Sequence, residues 1–273
     1  MERIQQALEK AKQQRQENAV PPKPGQQVPV LKKEAEEKVA YTQTRTVEVT
    51  EDVFRQNRVV AALKDDVRAD LFKILRTKVL QRMQANNWNV LAISSPTSEG
   101  GKSLTAVNLA ISIAMDAKYS VLLVDLDLRR PGVHRYFNIE PEYGLSDYFD
   151  NNKDLSELLF NPGLESLVIL PAGKPTHRSS DLLSTPKMQA LADELKHRYP
   201  DRIVVVDLPP LLQTDDALMF MPNVDACVLV VAEGENTTEE VQQSISLIGE
   251  KKYLGSILNK SAEISKSSYA YYG

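Results

Sequence analysis

The amino-acid sequence predicts an α/β fold, a mainly parallel β-sheet with helices on both faces, preceded by a flexible N-terminal extension. Three observations carry this expectation. Residues 90–95 (VLAISS), 121–125 (VLLVD) and 203–207 (IVVVD) are short and almost wholly apolar, as strands buried on both faces of a parallel sheet must be. Helical patterns alternate with them, the arrangement that covers such a sheet on both sides. Residues 1–59, by contrast, are rich in Gln, Lys, Glu and Pro and poor in bulky apolar groups, so burial cannot offset the entropy of ordering them.

Within that extension Ile4, Ala7, Leu8 and Ala11 follow the i, i+3, i+4, i+7 spacing of a short amphipathic helix able to lie against a partner, and PPKPG at 21–25 breaks it. The domain is expected over residues 60–260. It opens with a helix at 66–83, then the 90–95 strand and a helix at 102–116 whose small and branched apolar face suits a sheet. Strands follow at 121–125, 167–170, 203–207, 226–231 and 256–258. Thr237-Thr238-Glu239-Glu240 has the form of a capping box, which starts a helix between the last two strands. Residues 261–273 form a tail with Tyr269, Tyr271 and Tyr272 crowded among polar residues, where no core explains them.

Composition narrows the partners. The 273 residues are 42% hydrophobic, enough for one substantial core, and the net charge of −4 comes from interspersed acids and bases, so no basic field favours nucleic acid. The single Cys227 sits in an apolar run and reads as a buried small hydrophobe. His134, His177 and His197 are scattered without metal-ligand spacing. No apolar run approaches the roughly 20 residues that cross a bilayer, and the N-terminus lacks a signal-type hydrophobic region. The expected location is therefore cytoplasmic, with any membrane role arising through a partner.

The chemistry concentrates at residues 95–103 (SPTSEGGKS), between a strand and a helix. A helix N-terminus offers free N–H groups and a positive dipole end to anionic oxygens. Gly100 and Gly101 let the backbone approach phosphates, Lys102 would meet β- and γ-oxygens, and the Ser103 hydroxyl would ligate Mg²⁺. Pro96 takes the place of the first glycine of the usual phosphate-loop pattern. Ser98, Glu99, Gly100, Gly101, Lys102, Ser103, Leu104 and Arg129 are the candidate nucleotide contacts in this region. In an open α/β sheet, ligands sit at the carboxyl ends of the strands, so Asp125, Asp127 and Asp207 are expected to face Lys102. Asp207 and Asp125 would share Mg²⁺ with Ser103, Asp127 would take a proton from the incoming hydroxyl, and Arg129 and Arg130 would offset phosphate charge.

SPTSEGGKS as Walker A, VLLVDLDLRRP as a second Walker-type motif and IVVVDLPPLL as Walker B together resemble the bacterial tyrosine autokinases of capsule and exopolysaccharide synthesis. These are deviant-Walker P-loop NTPases related to the partitioning ATPases. The resemblance runs from about Asp66 to the C-terminus. It implies ATP and Mg²⁺ as cofactors, and transfer of the γ-phosphoryl to Tyr269, Tyr271 and Tyr272 of a neighbouring copy, so regulating polymer synthesis and export. Asp70, Lys73 and Arg76 resemble the family's E-x-x-R-x-x-R helix, with Asp for Glu and Lys for the first Arg. That implies self-association, in the form of a ring. By the same similarity Asn259 touches the adenine base, Asp216 acts in the switch region, and a separate membrane-embedded, chain-length-determining adaptor recruits the protein to the inner face of the plasma membrane. Ser98-Glu99-Gly100-Gly101 departs from the family's Pro-Gly-Glu-Gly, so Glu99 would have to turn away from the phosphates or pair with a base such as Arg129. Thr97 stands where partitioning ATPases carry a signature lysine. A positioning ATPase and a nucleotide-binding regulator with little catalysis are the alternative functions.

Overall fold

The computed structural model describes residues 44–198 and 201–261. The N-terminal amphipathic pattern, the Pro-rich linker and the tail tyrosines lie outside the described residues. Among the described residues eight strands form one sheet: β1 (Arg45–Thr46), β2 (Val90–Ser94), β3 (Ser120–Asp125), β4 (Phe160–Asn161), β5 (Leu167–Leu170), β6 (Arg202–Asp207), β7 (Ala226–Ala232) and β8 (Tyr253–Asn259). Their order is β1-β4-β5-β3-β6-β2-β7-β8, and every neighbouring pair is parallel except β4 with β5. The helices are α1 (Glu51–Gln56), α2 (Arg68–Ala85), α3 (Lys102–Ala114), α4 (Leu145–Asn151), α5 (Leu155–Leu158), α6 (Ser179–Leu183), α7 (Pro186–His197), α8 (Asp216–Phe220) and α9 (Thr238–Ile248).

Alternation along the strands divides the core in two. Leu91, Ile93, Val121, Leu123, Ile203, Val205, Val228 and Val230 face one cluster, with α3 packed over them and Val79, Leu80 and Met83 of α2 outside it. Val90, Ala92, Leu122, Val124, Val204, Val206, Cys227 and Leu229 face the other, covered by Met188, Leu191 and Ala192 of α7 and by Ala217 and Phe220 of α8. This two-residue period puts apolar groups on both faces of a central strand, which is why β2, β3 and β6 read as continuous apolar runs. Cys227 is fully buried, and burial pushes its thiol up to about 12, as a structural cysteine requires.

The boundary at residue 60 needs correction. Phe54 and Val59 are buried in the first core cluster, and Phe54 meets Phe137 edge-on at 6.3 Å. Asn57 Nδ2 donates to the Tyr136 carbonyl at 3.1 Å, and β1 pairs with β4. Buried Asn108 of α3 accepts from the Ala61 N–H at 2.9 Å and donates to the Arg58 carbonyl at 3.2 Å. Residues 45–59 thus belong to the folded domain, held by a few large side chains that composition averaged over sixty residues conceals. Thr237 does form the capping box that starts α9, its hydroxyl accepting from the Glu240 N–H while Glu240 accepts from the Thr237 N–H.

Candidate functional site

Register builds the site. Asp125 and Asp207 are direct partners across β3 and β6, and Ile93 of β2 lies beside Asp207 on its other side, so two strand-end acids and the loop leaving β2 share one edge. That loop turns into α3 through Gly101, whose φ is +90° and where a Cβ would stand 2.1 Å from Asn259 Nδ2. Only glycine fits there. Glu99 also adopts a positive φ, +64°, and its side chain is exposed.

Lys102, buried in the first turn of α3, brings the elements together. Its Nζ lies 2.9 Å from Asp127 Oδ2, 3.3 Å from Asp207 Oδ1 and 3.2 Å from Ser103 Oγ, while the Ser103 hydroxyl donates to Asp207. Burial opposes the lysine's charge, yet the carboxylates of Asp207, Asp127 and Asp125 outweigh it and raise its pKa. Burial acts the other way on the acids. Asp207 is raised despite Lys102 and Ser103, and Asp125 is pushed up to about 7 by burial and by Asp207. Asp125 accepts from the N–H groups of Asp127, Gly132 and Val133 at 3.1, 2.9 and 3.0 Å, so its carboxyl organises the loop that carries Asp127.

Asn259, at the end of β8, donates from Nδ2 to the Gly100 carbonyl at 2.9 Å and so belongs to the site. Leu104 follows Ser103 in the first turn of α3, and its carbonyl accepts from Asn108. Arg129 is engaged away from Glu99. Its Nε and Nη2 donate to Asp216 at 2.8 and 3.3 Å, so of the two alternatives for Glu99 the pairing with Arg129 is not the one observed. Asp216 also accepts from Ser179 and Ser180 at 2.7 and 2.6 Å. Burial would raise its pKa, but Arg129 and the two serines lower it. Asp216 therefore joins the loop after β3 to α6 and to the segment after β6, and neither it nor Asp215 caps α8 through its side chain.

The motif residues Asp70, Lys73 and Arg76 divide. Asp70 and Lys73 pair at 2.8 Å on the exposed surface of α2, whereas Arg76 turns inward and donates to the Ser112 carbonyl at 2.9 Å. Sequence reasoning missed Asn236, which donates to Thr97 of the phosphate loop at 2.8 Å. It stands just before the capping box, but nothing in its sequence context points to a loop 139 residues away.

A lysine and a serine at a helix N-terminus, set against carboxylates at strand ends, define a nucleotide-binding protein of the P-loop class. No family model matches the chain. Among curated proteins it is 31% identical to CapB of Staphylococcus aureus, over 75% of this chain and 89% of that protein. It is 30% identical to the tyrosine-protein kinase YwqD of Bacillus subtilis, over 80% of this chain and 93% of that one. The chain belongs to the bacterial tyrosine-protein kinase family and is a tyrosine kinase by class. The tyrosine-protein kinase Etk of Escherichia coli is 29% identical, but the chain spans only 28% of its length. The solved kinase domain of Etk superposes with a TM-score of 0.69 at 27% identity, covering 81% of this chain and 90% of that one. The chimerical protein CapA2B2 superposes at 0.68 with 26% identity, covering 80% and 94%. Among the described residues no helix is long and apolar enough to cross a membrane.

Proposed function

We propose that this protein transfers the γ-phosphoryl of ATP, with Mg²⁺, to Tyr269, Tyr271 and Tyr272 of a neighbouring copy, and through that cycle regulates capsule or exopolysaccharide synthesis and export. The observation that carries the reading is the cluster of buried Lys102, Asp127 and Asp207 with half-buried Ser103 at the sheet edge. Among the described residues no group of three or more acidic, His or Cys side chains is arranged to hold a metal ion alone. A cation here would need phosphate oxygens as well, which is how Mg²⁺ is commonly bound. The touching oxygens of Ser103 and Asp207 fit as its protein ligands. Asp125, already accepting three N–H groups, fits better behind them, holding the loop in place. Mg²⁺ would supply charge neutralisation on the transferring phosphoryl.

The protein's own residues then divide the work. Lys102 exchanges a carboxylate for phosphate oxygens and lowers the charge on the triphosphate. That exchange frees Asp127 to accept the phenolic proton as the tyrosine oxygen bonds to phosphorus and the bond to the ADP oxygen breaks. Asn259, which donates to the Gly100 carbonyl, would also touch the adenine base from the end of β8. Asp70 and Lys73, exposed on α2 beside Leu71 and Ile74, would meet the neighbouring copy. The kinase would be cytoplasmic and would work with a separate membrane-embedded, chain-length-determining adaptor at the inner face of the plasma membrane, a reading that rests on the motif resemblance of residues 95–103, 121–131 and 203–212.

Incubation with γ-labelled ATP and Mg²⁺ tests the reading. Label on the three tail tyrosines, lost in Lys102→Met and in a variant with all three changed to Phe, is the expected result. Hydrolysis of ATP without labelled protein would replace it with a positioning ATPase. Binding without turnover would leave a nucleotide-dependent regulator.

A further inference from the structure

We infer that Asn236 is a positioning residue that holds the phosphate loop in its nucleotide-binding shape by fastening Thr97 to the start of α9. The loop cannot keep that shape cheaply. Glu99, which is not glycine, sits at φ +64°. Backbone in such regions persists only where the surroundings over-determine it. Among the described residues, three side chains outside the segment hydrogen-bond to it: Asn259 at Gly100, Gln213 at Ser98 over a long 3.4 Å, and Asn236 at Thr97 at 2.8 Å.

Both ends of the Asn236 amide are committed. Its Oδ1 accepts from the Ala232 backbone N–H at 3.0 Å. A backbone N–H only donates, so the amide cannot flip and Nδ2 must be the end that faces Thr97. The same Nδ2 stands 3.5 Å from Glu240 Oε2, and that carboxylate accepts from the Thr237 N–H at 3.0 Å within the capping box. A continuous polar chain therefore runs from the end of β7 and the first turn of α9 to the loop. Within the loop, Ser95 Oγ donates to the Thr97 carbonyl at 2.6 Å, so holding Thr97 steadies the approach to Glu99, Gly100 and Gly101.

The inference rests on this loop being the nucleotide site, and the test separates the two. In the full-length protein, hydrogen exchange of the 95–101 amides is measured without nucleotide for wild type, Asn236→Ala, Thr97→Val, the double variant and Thr237→Ala. Losing one net hydrogen bond of about 1 kcal/mol corresponds to roughly fivefold faster exchange in either single variant. The double variant should be no faster, since both changes remove the same contact. Thr237→Ala weakens the cap without touching Thr97 and should lower the melting temperature while leaving loop exchange unchanged. With ATP, KM should rise by a factor similar to the exchange change in Asn236→Ala while kcat stays within about twofold. Unchanged loop exchange in Asn236→Ala, or additive effects in the double variant, overturns the inference. Failure of the wild type to bind ATP overturns the nucleotide reading instead, and the exchange data still decide whether the tie exists.

Discussion

At the scale of single residues, the site is governed by charges that burial makes expensive. Burial raises the pKa of both Asp125 and Asp216, but at Asp216 the hydrogen bonds from Arg129, Ser180 and Ser179 outweigh it, so the two acids end up shifted in opposite directions. Asp125, with its pKa moved from 3.8 to about 7, keeps its proton in the folded state over a range where the unfolded chain has lost it. Its contribution to stability is complete below 3.8 and disappears as the pH rises through about 7. Asp216 is lowered, so its contribution is present above 3.8 and is lost as the pH falls through its folded value. Asp125→Asn removes the first of these slopes. The difference in melting temperature between wild type and Asp125→Asn should change from about pH 4 to about pH 7 and then level off. A difference independent of pH would show that Asp125 is ionised in the folded protein throughout. Asp125 and Asp207 were legible in the sequence, because a lone carboxylate at the end of an apolar strand stands out, whereas Asp216 entered only through the family resemblance. The partners of Arg129 were not legible, because Asp216 lies 87 residues away on a different connection.

At the scale of elements, α2 and α3 present contrasting surfaces. Almost the whole of α3 is buried between the sheet and α2, and its strongly apolar sequence announces this. The α2 helix keeps Val79, Leu80 and Met83 inward but leaves Leu71 and Ile74 56% and 55% exposed, beside the Asp70–Lys73 pair. Large apolar groups left in water three residues apart on one helix favour a contact surface over a solvated one. On the proposed self-association through this face, replacing both with Glu should leave a monomer, as read by light scattering, and abolish the proposed phosphorylation between copies while changing the melting temperature little. If the oligomer survives the double substitution, self-association uses another face. The short strands β1 and β4 escaped sequence analysis because two residues carry no periodicity, and their pairing depends on where the chain returns to the sheet edge.

At the scale of the whole molecule, the first core cluster extends across the boundary that composition suggested. Phe54, Phe137 and Phe160 come from three distant segments and stack edge to face at 6.3 Å. Phe54→Ala should therefore cost about 3–5 kcal/mol, measured by urea denaturation, although the residue lies in a stretch that reads as an extension. An unchanged midpoint would return residues 45–59 to that role. The Asn57 contact to Tyr136 gives the segment a second purpose, since the turn it braces begins where Gly132 and Val133 hold Asp125.

The sequence by itself determined the parallel sheet, the strand-end carboxylates, the lysine and serine at the start of a helix, and the capping box of α9. Each is a local pattern, in which burial on two faces or a free helix terminus dictates residue type at short spacing. Only the tertiary structure decided that Arg76 turns inward, that Asp125 spends its oxygens on backbone N–H groups, and that Asn236 and Asn259 grip the phosphate loop. Those contacts join residues 36, 139 and 159 positions apart, or depend on the path of a loop. The physical reason is that a polar side chain's partner is chosen by which crossovers bring backbones together, and strand order leaves no periodic trace in the chain.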